Sequence, residues 1–89
     1  MKTLKIIENL HELEDMLYNM IAHFEGVLDG EIDDPALSGL TRKELTRNIS
    51  DLNDVLDEAC DICYGLATGN FEDHERARAI EIIEFWGIE

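Results

Sequence analysis

The sequence predicts an all-α protein, a small antiparallel helical hairpin completed by a shorter third helix into a three-helix bundle. Two long segments carry apolar residues in alternating steps of four and three, the spacing that keeps one face of a helix buried. Turn-forming residues cluster between those segments and after the second one. Only one proline stands in 89 residues, of which 45% are hydrophobic, so the chain is expected to fold despite its charge. The expected organisation is a single domain over 1–89, with helices near 3–29, 42–68 and 71–86.

In the first segment the stripe is Ile6, Leu10, Leu13, Leu17, Met20, Phe24 and Val27. Ile7, Met16, Ile21 and Leu28 widen it beyond a two-stranded seam, so this helix is expected to pack against more than one neighbour. Gly30 ends the pattern, and Glu31 to Gly39, with Pro35 inside it, has the composition of a connecting loop. Thr41-Arg42-Lys43-Glu44 then forms a capping box, flanked by Leu40 and Leu45 in the positions of a hydrophobic staple. The second stripe runs through Leu45, Ile49, Leu52, Leu56, Ala59, Cys63 and Leu66. It matches the first in length, which suits antiparallel packing of the two.

Gly69 is expected to stop the second helix. Asn70 is expected to cap a third, whose first turn holds Glu72, Asp73 and Glu75 where the positive end of the helix dipole favours acids. In this last helix Ile80, Ile82, Ile83, Phe85 and Trp86 spread over an arc of roughly 220°, wider than one packing face needs. Ile82, Phe85 and Trp86 are therefore candidates for self-association into a homodimer.

Charge narrows the function classes. Seven basic residues face twenty-one acidic ones, for a formal net charge of −14. Direct binding to nucleic acid or to an anionic membrane surface is opposed by that balance, and basic partners are favoured. No apolar run has the length of a membrane span, and Glu8 interrupts the start of the chain before a signal-peptide core is reached, so a cytoplasmic location with reduced thiols is expected.

The motifs that carry chemistry are incomplete. Cys60-Asp61-Ile62-Cys63 has metal-ligand spacing, and His74 follows at a distance, but no second CxxC or histidine pair completes a zinc set. The pair falls late in a long helix, away from the helix start that activates redox thiols, so both cysteines are expected to serve as small core residues. Asp29, Glu31, Asp33 and Asp34 lack the glycine and closing glutamate of a calcium loop. His11, His23 and His74 have no nucleophile at a spacing that would build a triad and are expected at the surface. No cofactor is expected.

Two resemblances are local. The pairs Glu12 with Asp15 and Glu81 with Glu84 resemble the ExxD and ExxE pairs that bind magnesium in all-helical nucleotide pyrophosphohydrolases. Those enzymes direct their carboxylates inward, whereas no stripe position of the first two helices here is acidic. Acyl carrier proteins share small size, acidity and a serine before the second helix, but place it in Asp-Ser-Leu; this chain has Leu37-Ser38-Gly39.

What remains is the arrangement of charge. From Ile6 to Thr41 there are nine acids and no Lys or Arg, and from Asn48 to Glu75 eight acids and again none. Asp51, Asp54, Glu58 and Asp61, with Asp57 beside them, recur in steps of three and four and form a carboxylate row on the second helix. Glu8, Glu12 and Asp15 begin a similar row on the first. Neighbours in such rows lie about 5–6 Å apart, of the order of successive phosphates on a nucleic-acid strand.

Like charges at this spacing destabilise a helix, and mixed signs would keep the protein equally soluble. The expected function is therefore a non-enzymatic inhibitor or decoy that offers carboxylates to a basic protein such as a nucleic-acid-binding enzyme. The analogy is to phage anti-restriction, anti-CRISPR and nuclease-immunity proteins, in charge and size alone. The alternative is a structural or adaptor bundle that associates through its last helix. A magnesium-dependent nucleotide hydrolase is the third reading.

Overall fold

The computed structural model describes residues 2–88. It contains α1 (Thr3–Leu28), α2 (Arg42–Thr68) and α3 (Asp73–Phe85), with no strand among the described residues. The largest interface joins α1 to α2, and α3 packs on both, giving a three-helix bundle of 42 × 21 × 18 Å. The long dimension is that of α2 itself, since 27 residues at a rise of ~1.5 Å each span about 40 Å.

Both stripes face inward. Leu10, Leu13 and Leu17 are fully buried, and Leu52, Leu56, Ala59, Cys63 and Leu66 meet them from α2. Along α1 the core continues to Ile21, with Met20 only half-buried. A strict alternation of three and four drifts by ~20° per heptad on a straight helix, so by the third turn a step of four holds the core line better.

The far end of the hairpin is covered less completely, because α3 has 13 residues and spans only about 20 Å. Its C-terminal Trp86 reaches as far as Phe24, Leu52 and Val55. Beyond that level two helices and the 29–41 connection share the burial, and Val27 and Ile49 remain half-buried.

The helix ends follow from local chemistry. Thr41 caps α2 by accepting from the Glu44 backbone N–H at 3.1 Å, and its hydroxyl donates to the Glu44 carboxylate at 3.3 Å. Leu45 is buried one turn in, beside half-buried Leu40. At the other end Gly69 takes φ 75°, the left-handed conformation that lets the Asn70 N–H turn back to the Gly65 carbonyl at 2.9 Å. The cap of α3 differs from the expectation. Glu72 holds that place instead of Asn70, its backbone N–H donating to the Glu75 side chain at 3.1 Å. Asn70 is already engaged in closing α2.

Candidate functional site

Asp51, Asp54, Asp57 and Asp61 are all exposed along α2. Leu52, Leu56, Ala59 and Cys63 turn the opposite side of the helix into the core, which leaves these carboxylates on the outside. None of these aspartates has an ion-pair partner among the described residues. On α1 Glu8, Glu12 and Asp15 are likewise exposed, directly opposite the stripe of Leu10, Leu13 and Leu17.

Glu58 departs from the expected row. Arg78 of α3 donates from Nε and Nη2 to its two carboxylate oxygens, both at 3.0 Å, and from Nη1 to Glu81 at 2.6 Å. The hydrogen bonds to Glu58, with the charges of Glu58 and then Glu81, hold the Arg78 guanidinium still more firmly protonated than usual. A cation lies across the middle of the acidic face, so Glu58 is committed to joining α2 to α3. The signal was present as a basic residue on the third helix, but spacing along α2 alone does not show which acid it meets. Around this clamp Asp54, Asp61, His74 and Glu75 border a shallow groove of about 550 Å³.

The terminal helix also divides its expected contact residues. Ile82 is 4% exposed and belongs to the core of the bundle, so it presents no surface to a partner. Trp86 is half-buried, whereas Phe85 is 81% exposed. The two rings meet edge to face with centroids 5.6 Å apart. They line an open groove of about 350 Å³ with Val55, Ile82, Arg78 and Glu81. Ala79, Ile82 and Ile83 supply the packing face, and the wide apolar arc is accounted for by Phe85 lying outside it.

The cysteines are core residues in part. Cys63 is buried and Cys60 half-buried against the same cluster. Their polar neighbours come from α1, not from His74, which sits beside Glu72 at 3.2 Å. Cys63 Sγ lies 3.8 Å from His11 Nε2, and His11 Nδ1 lies 3.3 Å from Glu14 Oε2. Burial, then the charge and hydrogen bond of Glu14, push the Cys60 thiol up to about 11, and burial with Glu14 raises Cys63 as well. His11 and Glu14 were legible only as an i,i+3 pair equal in spacing to the cysteines; their meeting depends on the register of the hairpin.

The connecting loop is tied to α1 by His23, whose Nε2 is 2.7 Å from Asp34 Oδ2. Asp34 also accepts from the Ala36 N–H at 2.9 Å. The bond to His23, then that to Ala36, hold the Asp34 carboxyl below its ordinary range. Asp29, Glu31 and Asp33 are exposed. Glu12, Asp15, Glu81 and Glu84 are all exposed, and Glu81 is engaged by Arg78, so neither pair lines an inward site. No helix is long and apolar enough to cross a membrane among the described residues. The sequence matches no protein-family model, and neither a curated protein nor a solved structure matches it closely enough to count as a relative.

Proposed function

We propose that this protein is a small non-enzymatic inhibitor or decoy that docks its acidic helix faces on the basic surface of a nucleic-acid-binding protein. The observation that carries this reading is the row Asp51, Asp54, Asp57 and Asp61 on one helix, without an ion-pair partner among the described residues. Uncompensated like charges at a spacing of about 5–6 Å oppose helix stability, and a cationic groove that receives them removes the repulsion. Glu8, Glu12 and Asp15 extend the field on α1. Complementary charge of this kind accelerates encounter and makes it sensitive to salt.

The test immobilises the wild type and a variant combining Asp51→Asn, Asp54→Asn, Asp57→Asn and Asp61→Asn, and passes a host lysate over both at low and high salt. The reading expects nucleic-acid-binding proteins on the wild type alone, released by salt and by added duplex DNA. The same proteins retained equally on both columns would contradict it.

A second reading is favoured by Phe85, whose ring is 81% exposed beside Trp86. In it the chain is an adaptor that associates with a second copy through α3, with its acids serving solubility. Sedimentation of the wild type and of Phe85→Ala separates the two: a dimer that Phe85→Ala dissolves supports the adaptor, and a monomer in both removes it.

A further inference from the structure

We infer that His11, Glu14, Cys60 and Cys63 form a zinc-class transition-metal site that cross-links α1 to α2. The sequence alone offers only half of it, a CxxC without a second pair. Folding supplies the rest. His11 and Glu14 stand one turn apart on α1, Cys60 and Cys63 one turn apart on α2, and antiparallel packing sets His11 and Glu14 against Cys63. The ligand atoms of His11, Glu14 and Cys63 all lie within 4.8 Å of one another.

The distances suit the ion. In tetrahedral zinc, bonds of about 2.3 Å to sulfur and 2.1 Å to nitrogen put the two ligand atoms about 3.6 Å apart. Cys63 Sγ and His11 Nε2 are separated by 3.8 Å. Cys60 stands one turn before Cys63 and is half-buried against the same core cluster, and the proposed site takes its sulfur as the fourth donor through a change of rotamer. Two sulfurs, an imidazole and a carboxylate form a set that prefers zinc and its cobalt surrogate to the oxygen-seeking magnesium and calcium. On binding, each ligating thiol releases its proton to solvent.

A second observation points to a cation here. The Glu14 side chain is drawn in to 14% exposure beneath His11, which itself is 64% exposed. Its only ion-pair contact among the described residues is that imidazole, a cation only when protonated. No Lys or Arg occurs from Ile6 to Thr41 or from Asn48 to Glu75. Among the described residues the ion pairs give this half-buried carboxylate beside Cys63 no Lys or Arg partner, and a divalent ion supplies the compensating charge. Cys60 lies ~160° around α2 from Ile62, the residue turned toward α3. The site opens on the hairpin face that α3 leaves uncovered, separate from the clamp at Glu58.

The experiment titrates tag-free, reduced, chelator-treated full-length protein with Co²⁺, then Zn²⁺, then Mg²⁺. The expected result is one Co²⁺ per chain with thiolate-to-cobalt charge-transfer and tetrahedral d–d bands, displacement by Zn²⁺, a Tm that rises with Zn²⁺ concentration, and no response to Mg²⁺. Because Cys63 is buried, Cys63→Ser could fail to fold, so His11→Ala and Glu14→Gln serve as companion variants. The surface position of His11 allows a folded variant, and its Co²⁺ or Zn²⁺ affinity is expected to fall at least about tenfold. Absence of the charge-transfer band in the wild type, equal affinity in His11→Ala, or a response to Mg²⁺ like that to Zn²⁺ would overturn the assignment.

Discussion

Arg78 closes on both carboxylate oxygens of Glu58 at 3.0 Å, and in doing so ties the short third helix to the acidic face of the second. The pair has opposite consequences for stability and for the proposed docking. Arg78→Ala removes a partly exposed clamp, so thermal unfolding is expected to shift down by only a few degrees. It also returns Glu58 to the row of Asp51, Asp54 and Asp61, and capture of basic partners is expected to strengthen at low salt. Weaker capture by a folded Arg78→Ala protein would show that the arginine itself belongs to the binding surface.

Leu17 has no exposed surface and belongs to the one core cluster that draws on all three helices. Leu17→Ala leaves a cavity that a small bundle cannot collapse, and a loss of about 2–5 kcal/mol is expected from urea unfolding. A loss well below that range would mean that α1 does not hold the centre of the core.

Thr41 is the sole side-chain cap identified at the start of α2, through its bond from the Glu44 N–H. Thr41→Ala is expected to cost about 1 kcal/mol, with Thr41→Ser close to wild type. The comparison is read from urea midpoints at unchanged slope. Equal midpoints for all three proteins would show that the helix begins without help from this hydroxyl.

The bond between His23 and Asp34 makes a prediction about acid. The Asp34 carboxyl is held below its ordinary 3.8 by that bond, so the folded state releases its proton more readily than the unfolded one. The contribution is therefore complete above the ordinary value and is lost as pH falls through the lower, folded one. Melting curves of wild type and Asp34→Asn are expected to differ most above pH 3.8 and to converge well below it. A gap that stays constant through the acid range would assign the loop's order to something other than this carboxylate.

Much of the architecture was legible because it rests on periodicity and caps. Leu13, Leu17, Leu52 and Leu56 lie in the core as their spacing implies, and Thr41 and Gly69 end the second helix where their chemistry suits. Contacts between helices were not legible. The sequence shows that Arg78 and Glu58 exist, and that His11 and Cys63 each repeat a three-residue step, but their meeting is set by how the helices slide and rotate against each other. Ile82 and Phe85 illustrate the same gap: both are large and apolar within one turn, and only the angle at which α3 docks decides that Ile82 is buried and Phe85 exposed.

The central claim is that open carboxylates on α2 recognise a basic protein by charge. Its most direct measurement is the dissociation constant for a captured partner as a function of salt, for the wild type and for the variant with Asp51, Asp54, Asp57 and Asp61 changed to Asn. A steep weakening with salt in the wild type, and a shallower slope with lower affinity in the variant, is the predicted result. Superimposable curves for the two proteins would contradict it.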